Sequence, residues 1–122
     1  MDNQPDKLVK IEVIQGGFTL IGIDSSKILP ITLERTNLTG IPHLNGTLSM
    51  ARDNPDSGTS EFFICINDQP SLDFGGGRNP DGQGFAAFGR VTKGMDIVRK
   101  IQTSACEGQV LIPPIKILGF YR

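Results

Sequence analysis

The stretch from Gly46 to Phe74 constrains the fold of this chain more than any other part of its sequence. It contains two short runs of strand-forming residues, Thr47 to Ala51 and Glu61 to Ile66, joined by a polar loop rich in Asn, Pro, Asp, Ser and Gly. This composition favours turns over a helix, so we predict two strands whose side chains alternate between two faces. The first strand separates Leu48 and Met50 from Ser49 and Ala51, and the second separates Phe62, Ile64 and Ile66 from Phe63, Cys65 and Asn67.

Further strands are predicted on both sides of this stretch. The segment from Val9 to Gln15 alternates apolar and polar residues, which is typical of a half-buried strand. The segment from Phe85 to Val91 is predicted to be another strand. Between them, the segment from Ile28 to Glu34 contains Pro30, which limits it to an edge strand or an extended segment.

The remaining segments predict one helix, one closing strand and two loops. Apolar residues recur at helical spacing between Met95 and Thr103, with Asp96, Arg99 and Lys100 on the polar side and Met95, Ile97, Val98 and Ile101 on the apolar side. The segment from Val110 to Phe120 is expected to be a closing strand, interrupted by Pro113-Pro114. We expect loops from Phe18 to Ile23, packed on the core, and from Thr36 to Asn45.

Length and charge restrict the class of protein. A chain of 122 residues suits one small domain, which we assign to residues 1–122. The net charge is -1, so no basic field attracts nucleic acid and no polybasic segment binds a membrane surface. No apolar run approaches the roughly 20 residues that span a bilayer, and the sequence begins without a basic-then-apolar signal pattern. We therefore expect a cytoplasmic location, with neither nucleic acid nor a membrane as partner.

Several residues that often carry chemistry are expected to be inert here. The only histidine, His43, has no carboxylate or cysteine at a useful spacing, so we expect a solvated loop residue that is neither ligand nor base. The glycine-rich segment from Phe74 to Gln83 runs toward a strand and not into a helix, so we expect a flexible surface loop without a phosphate site. The segment from Asp53 to Gly58 is not expected to bind calcium, because Pro55 and Ser57 stand where a calcium loop needs its ligands. No metal and no cofactor are expected.

The two cysteines are not spaced as a metal pair or as a CxxC motif. Cys65 lies in a predicted strand, and Cys106 lies in a loop that is flanked by glycine. We expect two reduced thiols, with Cys65 half-buried, and a disulfide between them is the less favoured alternative.

Four motifs follow one another along the chain: VIQGG at 13–17, GTLSMAR at 46–52, TSEFFICINDQPSLD at 59–73 and GFAAFGRVTKGMDIVRKI at 84–101. Over about residues 9–117 this order resembles the cyclophilins, a family of peptidyl-prolyl cis-trans isomerases. The resemblance implies a mainly β fold, a cyclophilin-like antiparallel β-barrel that is incomplete at the N-terminus, with one helix in the C-terminal half. It also implies an isomerase that assists protein folding by binding X-Pro peptides of unfolded protein clients and favouring the twisted amide.

The resemblance also implies which residues bind the substrate. A proline pocket takes three apolar residues and a valine where the family usually has methionine. A glutamine bonds the substrate backbone, the peptide lies along an alanine and the backbone of an arginine, and a glutamate stands where many members have glutamine. The pocket residues are Phe63, Leu72 and Phe85, with Val13 in the place of the methionine. The glutamine is Gln15, the alanine and arginine are Ala51 and Arg52, and the glutamate is Glu61. The structural alternative for two of them is an exposed ion pair between Glu61 and Arg52, and we expect the neighbouring Phe62 to lie in the core.

No catalytic residue is assigned. The family places its catalytic arginine ahead of the VIQGG strand, where this chain has Lys7 and Lys10, and a lysine presents a point charge in place of a planar fork of donors. The alternative function is therefore a catalytically silent proline-peptide binding or scaffold module. A small β-barrel with an unrelated ligand is a third and less favoured reading.

Two expectations about partners complete the sequence analysis. Ser71 occupies the place of a tryptophan that many eukaryotic cyclophilins use to bind cyclosporin, and Phe85 replaces a histidine or tyrosine there. We therefore expect weak cyclosporin binding. A barrel without its first strands leaves strand edges uncovered, which predicts possible self-association.

Overall fold

The computed structural model describes residues 8–17 and 27–121, and most of the regular structure in these ranges is β, as predicted. Lys7 and the segment from Phe18 to Ile23 lie outside the described residues. In chain order the elements are β1 (Val13–Gly16), α1 (Thr36–Thr39), β2 (Thr47–Met50), β3 (Phe62–Cys65), a short 3₁₀ helix (Pro70–Leu72), β4 (Ala87–Arg90), α2 (Met95–Gln102), β5 (Cys106–Glu107) and β6 (Val110–Leu111).

Four strands form one antiparallel sheet in the order β1-β3-β2-β4, and β5 pairs with β6 as a separate two-stranded sheet. In this register Gln15 of β1 and Ser49 of β2 both stand opposite Phe63 of β3. Opposed residues of antiparallel strands point to the same face, so these three side chains form one row across the sheet. Within the described ranges the larger sheet is open, which fits the prediction of an incomplete barrel.

The two faces of this sheet are buried to different degrees, which confirms the predicted alternation in β3. Phe63 is 4% exposed and Cys65 is fully buried. The prediction that Phe62 lies in the core is wrong, because Phe62 is half-buried on the opposite face, where Phe120 meets it edge-on. The buried face carries a core cluster made of Ile11, Val13, Phe63, Cys65, Leu72 and Phe85.

The polar loop between β2 and β3 fastens the segment that precedes α1. The Asp56 carboxylate accepts a hydrogen bond of 2.7 Å from the backbone N–H of Leu33. Ile31 forms an isolated antiparallel bridge with Gly58. The prediction of an edge strand or extended segment around Pro30 is therefore confirmed.

Two segments differ from the sequence prediction. The predicted loop from Thr36 to Asn45 begins with the helix α1, which Gly40 ends in a left-handed conformation while its N–H bonds the carbonyl of Thr36. The predicted closing strand from Val110 to Phe120 is reduced to β6, because Pro113 and Pro114 have no N–H to donate to a strand ladder.

Helix α2 has nearly its predicted bounds, but its apolar side is narrower than predicted. Val98 is buried, whereas Ile97, which was placed on the apolar side, is 59% exposed. Among the helices of the described ranges, none is both long enough and apolar enough to cross a membrane.

Candidate functional site

One cavity on the buried face of the sheet brings together all the residues that the resemblance implied for substrate binding. Its volume is about 290 Å³, near the lower end of the range for ligand pockets. The predicted residues on its wall are Val13, Gln15, Ala51, Arg52, Glu61, Phe63, Leu72 and Phe85, and further residues there are Ile11, Asp53, Ser57, Thr59, Arg78 and Asn79. These positions come from distant parts of the sequence, and the sheet and the loops that follow its strands bring them to one place.

The floor of the cavity is apolar and centres on Phe63. The Phe85 ring meets the Phe63 ring edge-on, with 5.4 Å between the ring centroids and an angle of 89° between the planes. Leu72, fully buried, and Val13 belong to the same packed cluster. Although only 4% of Phe63 is exposed, this residue borders the cavity and stands directly opposite Gln15. The floor is thus an apolar surface that contains two aromatic rings and lies next to the polar side chain of Gln15.

The rim of the cavity is polar where the ladder between β2 and β3 ends. The backbone N–H of Ala51 donates to the carbonyl of Glu61, which extends the ladder past both strands and places the two residues together. The Gln15 side chain donates from Nε2 to Glu61 Oε2 at 2.9 Å. This bond turns the amide nitrogen of Gln15 toward Glu61. The ion pair between Glu61 and Arg52 that the sequence suggested is absent, since Arg52 pairs with Asp81.

The guanidinium group of Arg52 is engaged by the protein at each of its nitrogens. It makes a bidentate pair with the Asp81 carboxylate, at 2.8 and 3.0 Å. Nε and Nη2 also donate to the carbonyl of Gly84, and Nη1 donates to the carbonyl of Asp53. The Arg52 side chain is 1% exposed, and its Cζ atom lies 5.1 Å from the centroid of the Phe85 ring. The guanidinium group therefore packs over Phe85 with all of its nitrogens bonded to other parts of the protein.

This clamp has an electrostatic consequence for Asp81. The hydrogen bonds from Arg52, with a further one from the backbone of Gln83, lower the pKa of Asp81 to about 2. The Asp81 carboxylate is therefore ionised at neutral pH and acts as a fixed anchor for Arg52.

The prediction that His43 is a solvated loop residue is wrong. The residue is 1% exposed, and both ring nitrogens have partners: Nδ1 lies 2.7 Å from Asp73 Oδ1, and Nε2 lies 2.8 Å from Ser49 Oγ. The backbone N–H of His43 also donates to Asp73 Oδ1 at 2.9 Å. Burial is tolerated because both polar ring atoms are satisfied inside the protein.

These partners assign the tautomer and charge of His43. A carboxylate only accepts hydrogen bonds, so Nδ1 carries the proton and Nε2 accepts from the Ser49 hydroxyl. Burial lowers the pKa of His43 below its usual value of 6.5, outweighing the opposite effect of the hydrogen bond and charge of Asp73. The ring is therefore neutral at pH 7.

Both cysteines are free thiols, as predicted, but Cys65 is fully buried and not half-buried. Burial, with a smaller contribution from the charge of Asp73, raises the pKa of Cys65 to about 12. The Cys65 thiol therefore stays protonated at neutral pH and is not a nucleophile. Within the described ranges, His, Cys, Asp and Glu side chains form no group of three that could hold a metal ion.

Sequence reasoning missed three polar residues of the cavity and its surroundings: His43, Asp81 and Arg78. The glycine-rich loop was predicted to lie at the surface, but Arg78 within it is 4% exposed and donates from Nη1 to the carbonyl of Val9. Each of the three has a charged or backbone partner that lies between 29 and 69 positions away along the chain, although His43 also bonds the nearby Ser49. No local pattern in the sequence signals such contacts.

Comparison with known proteins agrees with this geometry. The family model described as cyclophilin type peptidyl-prolyl cis-trans isomerase/CLD matches residues 6–121. Peptidyl-prolyl cis-trans isomerase cyp18 of Streptomyces antibioticus is 38% identical over 85% of this chain. A peptidyl-prolyl cis-trans isomerase of Acinetobacter baylyi is 39% identical over 85% of the chain, and peptidyl-prolyl cis-trans isomerase B of Escherichia coli is 39% identical over 74%. The matches span 68%, 55% and 54% of these three relatives, respectively.

The buried, neutral His43 predicts a specific dependence of stability on pH. Because its pKa is lower in the folded than in the unfolded protein, the stabilisation is complete above pH 6.5 and is lost as the pH falls from 6.5 toward the lowered value. We expect His43→Gln to lower the free energy of unfolding by about 1–3 kcal/mol at pH 8, because it removes a buried ring that stacks on Phe63, and to abolish the loss of stability below pH 6.5.

Urea unfolding of the wild type and the variant between pH 8 and pH 5 measures this effect. Since His43 is the only histidine, the comparison separates its titration from that of the carboxyl groups. If the free energy of unfolding depends on pH in the same way in the two proteins, the His43 ring does not titrate as we expect.

Proposed function

Because the chain belongs to the cyclophilin-type peptidyl-prolyl cis-trans isomerase family, we propose that it binds X-Pro segments in the cavity described above and catalyses their isomerisation. The observation that carries this proposal is that eight residues, implied by motifs spread from β1 to the approach to β4, line one cavity. Proline-containing peptides and unfolded protein clients are the substrates that fit such a site. No cofactor is needed for this reaction.

The chemistry explains why the proposed reaction needs no nucleophile. Amide resonance gives rotation about a peptide bond a barrier of about 18–20 kcal/mol, and the X-Pro bond isomerises in tens to hundreds of seconds. In the twisted amide the prolyl nitrogen regains a lone pair and the carbonyl loses conjugation. A site accelerates the rotation when it binds this twisted state more tightly than either planar state.

The cavity divides this task between its floor and its rim. The apolar floor at Phe63, Phe85, Leu72 and Val13 takes the pyrrolidine ring and excludes water from it. The rim anchors the chain that flanks the proline, through Gln15 and the backbone at Ala51 and Arg52, so that one side of the bond stays fixed while the other turns. The Gln15 amide is already oriented by Glu61. Because the Gln15 amide is oriented before the substrate binds, less entropy is lost in reaching the transition state.

The proposal is tested by exchange NMR on an Ala-Pro peptide, with one variant on each face of β3. Phe63→Leu removes the ring from the cavity floor, and we expect the catalysed exchange rate to fall about tenfold, which corresponds to about 1.4 kcal/mol. The control, Phe62→Leu, makes the same change in the adjacent residue on the opposite face, and we expect less than a twofold effect. Thermal unfolding of both variants verifies that they are folded at the temperature of the assay.

The same measurement decides between catalysis and simple binding. Chemical shift changes without faster exchange in the wild type would show a silent proline-peptide binding module and overturn the catalytic proposal. Absence of both effects would overturn peptide binding in this cavity as well.

We also propose that cyclosporin binds this chain only weakly. Ser71, which precedes Leu72 in the 3₁₀ helix, offers a hydroxymethyl group where a tryptophan would supply a large aromatic contact. We expect a dissociation constant in the micromolar range or weaker, measured by isothermal titration. A nanomolar value would contradict this prediction.

Self-association through strand edges is a further proposal. Among the residues that the structure describes, β1 and β4 are the outer strands of the four-stranded sheet, and an outer strand is a template for pairing with another chain. We expect a sedimentation coefficient that rises with protein concentration in sedimentation velocity experiments. A constant value for a monomer would contradict self-association.

A further inference from the structure

His43 joins three parts of the chain beneath the cavity floor. It lies in the loop before β2, and its ring bonds Ser49 within β2 on one side and Asp73, at the end of the 3₁₀ helix, on the other. All three bonds of His43 to these two residues are between 2.7 and 2.9 Å long. The orientation of this ring is therefore fixed at both of its nitrogens.

The Ser49–His43–Asp73 arrangement has the connectivity of a hydrolytic triad, but it cannot act as one. Ser49 is 0% exposed, so no substrate carbonyl reaches its hydroxyl group. Moreover, the hydroxyl donates to Nε2 from a position within the sheet, in the row that also contains Phe63 and Gln15. The hydrogen bonds among Ser49, His43 and Asp73 therefore have another role, which depends on the residues that the His43 ring contacts.

The His43 ring stacks on Phe63. Their centroids are 6.1 Å apart and their planes differ by 16°. Phe63 in turn meets Phe85, over which the Arg52 guanidinium lies. The result is a row of three rings, which we call the aromatic row (His43, Phe63 and Phe85).

Each end of the aromatic row is tied to a carboxylate. Asp73 bonds His43 at one end, and Asp81 bonds the Arg52 that covers Phe85 at the other. The middle ring, Phe63, has only apolar atoms, so packing sets its orientation, and the two rings beside it contribute to that packing together with the apolar side chains of the core cluster. Phe63 is the ring on which the proposed site relies for contact with proline.

We propose that His43 is a positioning residue for the proline pocket, holding the Phe63 ring in the orientation in which it packs against the substrate. This inference rests on the proposed function. The bonds to Asp73 and Ser49 hold the His43 ring, and stacking transmits that orientation to Phe63. His43 itself touches no substrate and transfers no proton.

The test separates the ring of His43 from its hydrogen bonds. His43→Gln keeps groups that can bond Asp73 and Ser49 but removes the ring, and His43→Phe keeps a ring but removes the bonds. Val98→Ala, in α2, serves as the control, because it truncates a buried side chain that does not line the cavity. The first measurement is the aromatic NMR spectrum of Phe63 in the free protein, including its ring-flip rate, and the second is the dissociation constant of the Ala-Pro peptide.

We expect His43→Gln to shift the Phe63 signals, to speed its ring flips and to weaken peptide binding about tenfold. His43→Phe should be less stable than the wild type, yet keep Phe63 signals and peptide affinity closer to the wild type than His43→Gln does. Val98→Ala should lower stability and leave both measurements unchanged. If His43→Gln leaves the Phe63 signals and the peptide affinity unchanged, as Val98→Ala is expected to do, the positioning role is overturned.

Two safeguards keep the result interpretable. If His43→Gln does not fold, Ser49→Ala takes its place, since it removes one bond to the ring and little volume. Unchanged Phe63 signals in that variant would overturn the proposal. The Phe63 spectrum needs no substrate, so a wild type that neither binds nor isomerises the peptide would refute the proposed function and still leave the effect of His43 on Phe63 measurable.

Discussion

The register between β1, β3 and β2 is the constraint on which the site depends. It places Gln15, Phe63 and Ser49 in one row across the sheet, so that a polar anchor, an aromatic floor and a buried hydroxyl share one face. A shift by one residue would turn every side chain of a strand to the opposite face. Phe63 would then exchange places with Phe62, and the cavity would lose its centre.

The charged groups around this row are each paired with another side chain of the protein. Asp73 holds His43, Asp81 holds Arg52, and Glu61 orients Gln15. Such fixed groups suit a reaction in which no proton moves and no covalent bond is broken, because the barrier arises from amide resonance alone. For such a reaction the protein must supply a surface of constant shape that excludes water, and paired polar groups help to hold that surface in place.

The opposite face of the sheet is organised differently. A second cavity of about 260 Å³ lies there, and apolar residues from β1, β3, α2 and β6 contribute to its wall, among them Ile14, Phe62, Ile64, Ile101 and Leu111. The side chains of this face that belong to β3 are half-buried, whereas those of the cavity face are almost completely buried. The polar anchors thus belong to the face with the tighter packing, where an unpaired polar group would cost the most.

The sequence by itself determined the strands β2 and β3, the helix α2 and the alternation that separates Phe63 from Phe62, because these depend on the order of neighbouring residues. The motifs also identified eight of the residues that line the cavity. Tertiary structure alone decided that His43 is buried, that Arg52 pairs with Asp81 and not with Glu61, and that Arg78 reaches the backbone of Val9. The reason is physical: a charged or polar side chain is buried only when its partners are in place, and those partners come from parts of the chain that only folding brings together.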